Sequence, residues 1–354
     1  MLRRSITMVI AITAVSAACL AQSALLDIPR DSQHSTVVQR IGITDIKIDY
    51  HRPLVKGRTI WGKVVPYGEV WRAGANENTL ITVTDPVTIE GQPLAKGIYG
   101  LHMIPGQDQW TVIFSKEHQA WGSFTYTQAD DALRITVKPQ ASEMHEALTY
   151  DFDDVKPDSA VATLRWEKIA VPFKVGVNVH DIVQASLHNQ LQGLAQYTWE
   201  GWDDAANYLL AQKYDLDEAL KYEETSIRTE ARFDNFMTKS QILEAMGKKD
   251  EAQTAKNEAL ARATAAQLYG YGRQLQGQGH QDQAFELFRQ AAKKDPNDWL
   301  VHDGTARIYS AQGDFDNALK EIKISYSGAP DNQKIFIAPL VKKLEAKQDI
   351  NKTN

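Results

Sequence analysis

The stretch Asp217-Glu218-Ala219-Leu220 recurs three times, in altered form, along the C-terminal half of the chain. The related stretches are Asp250-Glu251-Ala252-Gln253, Asp282-Gln283-Ala284-Phe285 and Asp316-Asn317-Ala318-Leu319. Successive alanines lie 33, 32 and 34 residues apart, and seven positions after each comes a small residue: Ser226, Ala259, Ala291 or Ser325. This period predicts helix–turn–helix units whose two helices cross closely at small side chains.

The repeated unit resembles the tetratricopeptide repeat over about 202–331. Glycines that would end a helix precede three of the four units, at Gly247, Gly279 and Gly313. The last two units carry Pro296 and Pro330, whereas the first two have Glu223 and Lys256 where the repeat usually has an aromatic or aliphatic residue. A generic helical bundle is the alternative, although a bundle needs no fixed period. The resemblance implies a curved array that binds protein segments and implies no catalytic role.

The N-terminal half has a different period. Apolar residues alternate with polar ones along several short runs between about Thr36 and Val177, which is typical of strands with one buried face. The clearest runs are Ile46-Ile48-Tyr50, Trp110-Val112-Phe114, Leu133-Ile135-Val137, Leu148-Tyr150-Phe152, Ala162-Leu164-Trp166 and Val171-Phe173-Val175-Val177. We expect an antiparallel β-sandwich of eight to ten strands over 36–178, a linker helix over 180–200 and helical repeats over 201–345.

The first 21 residues have the layout of a secretory signal peptide. A basic start, Met1-Leu2-Arg3-Arg4, precedes an apolar run from Ile6 to Leu20 that is short for a membrane span. Cleavage after Ala21 predicts an exported protein, periplasmic or associated with the cell envelope. Lipid attachment at Cys19 is the alternative, since small residues precede this cysteine.

Composition excludes several classes of protein. Cys19 is the one cysteine of the chain, so a disulfide framework and a cysteine metal site are both excluded. The net charge is −6, and loss of residues 1–21 removes two arginines and brings it to −8. An acidic chain without a basic run is a poor nucleic-acid binder. No later run approaches 18 apolar residues, so we expect no transmembrane segment.

Three motifs lie in the sandwich half. They are RPLVKGRTIWG from Arg52, VPYGEVWRAGANENT from Val65, and GIYGLHMIPG from Gly97, which is followed by WTVIFSK. Together they resemble a family of exported bacterial proteins catalogued as a domain of unknown function, number twenty-nine-eleven, over roughly 50–177. The resemblance implies a β-rich extracytoplasmic domain, often followed by helical repeats, and implies no established activity.

The second motif supports a structural interpretation. Arg72 and Glu77 are close enough in sequence to form an ion pair across a turn, with Gly74 at a positive φ angle and Asn76 in an Asx turn. Trp71 would then close one end of the core. In this interpretation the motif is an ion-paired corner.

A ligand pocket is the alternative interpretation. Its cations and hydrogen-bonding groups suit an anionic or polyhydroxyl ligand, because arginine is the best planar partner for a carboxylate or phosphate. The candidate ligand-binding residues are Arg52, Lys56, Arg58, Trp71, Arg72, Asn76 and Glu77. His51 and His102 add groups that donate or accept hydrogen bonds.

For catalysis, the best candidates are Glu77 as general base and His102 as general acid. His51, His102 and Glu77 follow no metal-ligand spacing, so we predict no metal and no cofactor. A glycan ligand would stack on exposed tryptophans. Trp110 and Trp166 continue the core alternation, which leaves Trp61 and Trp121 as the candidates for exposure.

The sequence therefore predicts an exported, non-enzymatic binding or assembly protein. Its sandwich would recognise a small or envelope-derived ligand, and its repeats would dock a protein partner. The alternative is an extracytoplasmic enzyme of the hydrolase type, with a polar site around Arg72, Glu77 and His102.

Overall fold

The computed structural model describes residues 29–352. This part of the chain divides into two compact units between Ile182 and Val183. The predicted signal peptide and Cys19 lie outside the described residues.

The first unit is an antiparallel sandwich, and the described residues form ten strands. They are β1 (Gln33–Ile41), β2 (Thr44–Arg52), β3 (Leu80–Val83), β4 (Val87–Ile89), β5 (Gln92–Leu94), β6 (Gly97–Ile104), β7 (Trp110–Ser115), β8 (Asp131–Val137), β9 (Gln140–Asp153) and β10 (Ser159–Val177). One sheet has the order β1-β2-β3-β6-β7-β8 and the other β5-β4-β10-β9. This confirms the predicted sandwich.

The sandwich core follows from the alternation in the sequence. In β2, Thr44, Ile46, Ile48 and Tyr50 are all buried, while the residues between them are half-buried. The largest fully buried side chains of this core are Trp110, Trp166, Phe114 and Phe173, and they come from both sheets. One continuous apolar core therefore holds the two sheets together.

Helix α1 (Val179–Gln190) crosses the boundary between the units. The predicted linker helix over 180–200 is divided into α1, a 3-10 turn at Leu194–Tyr197 and the start of the next helix. Gly193, with φ −92° and ψ −148°, has a non-helical backbone and separates the turn from α1.

The second unit contains helical hairpins. Its helices are α2 (Trp199–Gln212), α3 (Leu216–Thr229), α4 (Phe233–Ala245), α5 (Lys249–Arg262), α6 (Ala265–Gly277), α7 (Gln281–Lys294), α8 (Trp299–Ala311), α9 (Phe315–Gly328) and α10 (Asp331–Glu345). The first helices of successive hairpins, α2, α4, α6, α8 and α10, begin 34, 32, 34 and 32 residues apart. This confirms a tetratricopeptide-like array.

The small residues predicted at the helix crossings are all buried. Each of the eight is at most 1% exposed: Ala219, Ser226, Ala252, Ala259, Ala284, Ala291, Ala318 and Ser325. The glycines Gly247, Gly279 and Gly313 have φ between 79° and 86° and lie between the two helices of a hairpin. That conformation is easiest for glycine, so these residues end the first helix of three hairpins, whereas Lys213 at φ 52° ends α2.

Within 29–352, no helix is long and apolar enough to span a bilayer.

Candidate functional site

The motif Gly68–Thr79 is held along strand β6 by backbone hydrogen bonds. Gly68 N donates to Pro105 O at 2.9 Å, and Trp71 and Met103 exchange two hydrogen bonds of 2.8 Å. Further along, Leu101 N donates to Thr79 O at 2.7 Å. Residues 72–78 leave the strand between these two attachments, so they form a loop whose ends are fixed.

The loop turns at residues other than those predicted. The positive φ angles belong to Ala73 (50°) and Asn76 (59°), and not to Gly74 as predicted. Gly74 is needed for close packing, because a Cβ there would lie 2.5 Å from Oγ1 of Thr79. Asn76 donates its side-chain amide to Ser32 O at 3.2 Å, so its side chain ties the loop to the N-terminal segment.

The predicted Arg72–Glu77 ion pair is wrong. Glu77 Oε1 accepts from Arg30 Nη1 at 2.7 Å, and its Oε2 lies 3.4 Å from Nε2 of His51. Arg72 Nη1 instead donates to Asn76 O at 2.6 Å. The left-handed turn at Asn76 separates the two side chains, so Glu77 faces the β1–β2 edge and Arg72 faces the segment around Gly122.

Glu77 lies in a cleft of about 480 Å³. The lining residues are Pro29, Arg30, Ser32, Gln33, His34, His51 and Glu77. The rings of His34 and His51 meet edge to face at 5.2 Å. Oε2 of Glu77 is buried and makes no hydrogen bond with the described residues. Among the described residues, Oε2 of Glu77 therefore has the His51 imidazole as a neighbour but makes no hydrogen bond.

The charges in this cleft are nearly balanced. Burial acts to raise the pKa of Glu77, but its backbone hydrogen bond, Arg30 and His51 together hold it below its usual value. Burial lowers the pKa of His51, although the Glu77 carboxylate opposes this. At neutral pH the cleft thus holds an ion pair beside a neutral His51.

A second cluster surrounds His102. The Nδ1 atom of His102 lies 2.9 Å from Oγ of Ser123, and His102 is 2% exposed. Burial lowers the pKa of His102 to about 4, with Asp131 acting to raise it and Arg72 to lower it. Tyr126 packs against the imidazole at 5.5 Å between ring centroids and hydrogen-bonds to Asp131. The imidazole is therefore neutral and held in one orientation.

Arg72 belongs to this second cluster. Its guanidinium lies 5.4 Å from the ring centroid of Phe124, and a Cβ on Gly122 would come within 2.7 Å of Nη1. Among the residues that the structure describes, no carboxylate pairs with Arg72, and burial lowers its pKa. Within 29–352, the half-buried Arg72 thus has no carboxylate as a counter-ion.

Three predicted ligand-binding cations hold loops in place. Arg52 donates to Leu148 O at 3.0 Å and to Thr149 Oγ1 at 2.8 Å. Arg58 donates to the backbone oxygens of Val55 and Leu54. Their guanidinium groups thus make backbone and hydroxyl contacts, and Arg58 is exposed.

Lys56 has a similar role. Its ammonium group contacts Oδ2 of Asp31 at 3.0 Å, and its backbone N–H donates to Glu146 Oε1 at 2.8 Å. Lys56 therefore joins the N-terminal segment and β9, and it does not line the cleft around Glu77.

The tryptophans of the motifs form one cluster. Trp61 lies 5.9 Å from Trp71, 4.9 Å from Trp110 and 5.7 Å from Trp166, measured between ring centroids. The predicted exposure of Trp61 is therefore wrong, because its ring closes the apolar end of the sandwich. Trp121 is 48% exposed and lies over the guanidinium of Arg30.

The candidate catalytic groups are not assembled as one set. Glu77 and His51 meet in the cleft, whereas His102 contacts Ser123 in the other cluster. Across residues 29–352, no group of three or more His, Cys, Asp or Glu is arranged to hold a metal ion.

Sequence reasoning missed Arg30, Ser123 and Phe124. Arg30 is 47 residues from the carboxylate it pairs with, and Ser123 is 21 residues from His102. The one local signal is Gly122, next to Ser123 and at φ 73°. A glycine of this kind marks a turn but says nothing of what the turn contacts.

Comparison with known proteins gives a family for the sandwich half. Residues 32–175 match the family described as "Protein of unknown function (DUF2911)". This confirms the resemblance of the three motifs. No curated protein matches the chain.

Several solved structures resemble the helical half. One is entitled "Crystal structure of YrrB: a TPR protein with an unusual peptide-binding site", with 14% identity, TM-score 0.28, and 47% of this chain and 86% of that chain covered. "Crystal structure of APC/C hetero-tetramer Cut9-Hcn1" has 15% identity, TM-score 0.31 and coverage of 46% and 32%. "Crystal structure of MamA" has 15% identity, TM-score 0.28 and coverage of 42% and 87%.

Proposed function

We propose that this chain is an exported binding protein whose helical unit docks a segment of a protein partner. Export rests on the basic start, apolar run and small residues of 1–21, with cleavage after Ala21 or lipid attachment at Cys19 as the two outcomes. Docking rests on the arrangement of the first helices of the hairpins.

Hydrogen bonds tie these first helices into one layer. Asn207 of α2 donates to Thr238 of α4 at 3.3 Å, and Gln267 of α6 donates to Asp234 of α4 at 3.1 Å. Tyr269 of α6 donates to Asp303 of α8 at 2.8 Å. Neighbouring hairpins therefore present a continuous helical surface, and an extended segment can contact several repeats along it. This layer is the observation that carries the proposal.

Photo-crosslinking in intact cells tests docking and export together. A photoreactive residue at Gln241 or Gln274, both exposed on first helices, should crosslink a protein recovered in the envelope fraction. The matched controls are Gln253 and Glu286, which are exposed on second helices. Equal crosslinking from both pairs contradicts docking on this layer, and retention of the full-length chain in the cytoplasm contradicts export.

We infer that the sandwich half has a second binding site, in which the Glu77 cleft takes a polyhydroxyl ligand. Arg30 already neutralises Glu77, so the cleft has no excess positive charge for an anion. Oε2 of Glu77 lies 3.4 Å from Nε2 of His51 but makes no hydrogen bond with the described residues, and the neutral ring of His51 can accept or donate. Sugar hydroxyls supply both kinds of group.

Saccharide titration followed by thermal unfolding tests this inference. We expect cellobiose or chitobiose to raise the melting temperature of the wild-type chain and to lose this effect in Glu77→Gln. Glu69→Gln is the control, because Glu69 is exposed and does not line the cleft. An equal shift in Glu77→Gln, or no shift with any saccharide, contradicts a polyhydroxyl ligand at Glu77.

A further inference from the structure

We propose that Ser123 and His102 form a nucleophile–base pair that transfers acyl groups from small esters, with Arg72 stabilising the negative charge that develops on the carbonyl oxygen. This activity would be separate from protein docking by the helices and from ligand binding at Glu77. Its parts come from three segments of the sandwich: strand β6, the loop at 72–78 and the segment at 121–124.

The hydroxyl and the imidazole are already in contact. Oγ of Ser123 lies 2.9 Å from Nδ1 of His102, which is within hydrogen-bond reach for a nucleophile and its base. His102 lies in β6, where it pairs with Ile113 of β7. Because its ring is 2% exposed, the base is fixed by packing, while Ser123 is half-buried on the connecting segment.

The imidazole is in the form that a base requires. Burial, with the nearby charge of Arg72, lowers the pKa of His102 to about 4, although Asp131 opposes the shift. The ring is therefore neutral at neutral pH and can accept the Ser123 proton. Burial and the charge of Arg72 both lower the pKa of His102. A negative charge bound to Arg72 would offset the second effect, so the pKa of His102 rises as the transition state forms.

Asn78 lies near the other nitrogen of the ring. A Cβ on Gly100 would lie 3.1 Å from Nε2 of His102 and 3.3 Å from Nδ2 of Asn78, so both groups lie over this glycine. Asn78 is 6% exposed, and neither side-chain polar atom has a hydrogen-bond partner in the described residues. The tautomer that leaves Nδ1 free to accept the Ser123 proton carries its hydrogen on Nε2, on the side of Asn78.

Arg72 supplies positive charge beside the serine. Its guanidinium lies against the backbone of Gly122, the residue before Ser123, at a distance that only glycine permits. Arg72 has no carboxylate partner within the described chain, so its charge is not already neutralised. Fixed donors that face a developing oxyanion are usually the largest single contribution to this kind of catalysis.

Two exposed aromatic residues flank Ser123 in sequence, and their rings lie over the guanidinium groups of Arg30 and Arg72. Phe124 is 81% exposed and Trp121 is 48% exposed, and both are close to the serine in sequence. Exposed aromatic residues beside a nucleophile favour a small apolar acyl chain over a charged one. The substrate class is therefore an ester with a short apolar acyl group.

The reaction needs no reagent other than the ester and water. Oγ of Ser123 attacks the ester carbonyl carbon while Nδ1 of His102 takes the hydroxyl proton. The carbon–oxygen bond to the alcohol breaks, and the alcohol leaves with that proton. Water then attacks the acyl-serine, His102 takes one of its protons and returns it to Ser123, and a carboxylic acid is released.

Covalent labelling and ester hydrolysis by the full chain test this proposal. A fluorophosphonate probe should label the peptide that contains Ser123, and Ser123→Ala should remove the label. Hydrolysis of p-nitrophenyl acetate should fall about 100-fold or more in Ser123→Ala, and in the wild type it should fall as pH drops through about 4. Thr125→Ala, in the same exposed segment, should leave label and rate unchanged.

Two results would overturn the proposal. One is absence of the probe from Ser123 in the folded wild-type chain. The other is a Ser123→Ala rate equal to that of the wild type. Since His102 is buried in the core, Ser123→Ala is the deciding variant, and its unfolding curve is compared with that of the wild type. Neither result affects the crosslinking expected at Gln241 and Gln274.

Discussion

Replacing Glu223 with glutamine should raise the free energy of unfolding of the helical unit by about 3 kcal/mol at pH 7. Glu223 is fully buried on α3, where the repeat usually has an apolar residue. Burial, followed by the neighbouring carboxyl group of Asp203, raises the pKa of Glu223 from 4.5 to about 10. The folded chain therefore holds a proton that the unfolded chain releases.

The sign of the pH dependence follows from that raised pKa. Above pH 4.5 the unfolded state binds fewer protons than the folded state, so stability is highest below this pH and falls as pH rises towards about 10. Each pH unit lowers the free energy of unfolding by about 1.4 kcal/mol. Burial also raises the pKa of Asp203, which acts in the same direction. Lys239 opposes the shift of Glu223.

Chemical unfolding between pH 5 and pH 8, followed by circular dichroism at helical wavelengths, measures this effect. The wild type should lose stability across the range, and Glu223→Gln should lose much less. Glu224→Gln is the matched control, since Glu224 is the next residue and its pair with Lys239 is partly exposed. If wild type and Glu223→Gln show the same pH dependence, Glu223 is not a buried neutral carboxyl group.

Glu223 also shows how much of the structure of the helical unit the sequence predicts. The 32–34-residue period and the small crossing residues predict every hairpin, because both recur at fixed spacing. The sequence marks Glu223 as a departure from the repeat. It does not indicate Asp203, which lies 20 positions earlier on α2 and interacts with Glu223 only when α2 and α3 pack together.

The sequence predicts the structure of the sandwich half to a similar extent. Alternation predicts β2, β7, β8, β9 and β10, because one buried face imposes a period of two. It does not predict which way a loop side chain points. The positive φ angles at Ala73 and Asn76 send Arg72 and Glu77 to different clusters, and non-glycine residues adopt such angles too rarely to be expected from sequence.

The partners of those two residues come from distant segments. Arg30 reaches Glu77 from the N-terminal segment, and Phe124 covers Arg72 from the connection between β7 and β8. Neither contact produces a periodic pattern in the sequence, since both lie in segments without regular secondary structure. Candidate residues were therefore predictable by type and motif, whereas their grouping into a carboxylate cleft and a serine–histidine cluster required the fold.

Replacing Trp166 with alanine should lower the free energy of unfolding of the sandwich by about 3–5 kcal/mol. Trp166 is 1% exposed, stacks on Trp71 at 5.9 Å and meets Trp61 edge to face at 5.7 Å. Its indole N–H has no hydrogen-bond partner among the described residues, so the loss is one of packing. Thermal or urea unfolding followed by near-ultraviolet circular dichroism measures it.

Trp121→Ala is the control for Trp166→Ala, which tests whether the tryptophan cluster has a structural role. Trp121 is 48% exposed, so its loss should change the free energy of unfolding by less than about 0.5 kcal/mol. If Trp166→Ala greatly lowers the free energy of unfolding and Trp121→Ala hardly changes it, then Trp61 and Trp71 of the motifs have the structural role of closing the core. Saccharide stacking would then be confined to Trp121. Equal, small losses of unfolding free energy in both variants would contradict a stabilising role for the tryptophan cluster. The rings of Trp61, Trp71, Trp110 and Trp166 would then be candidates for ligand contact.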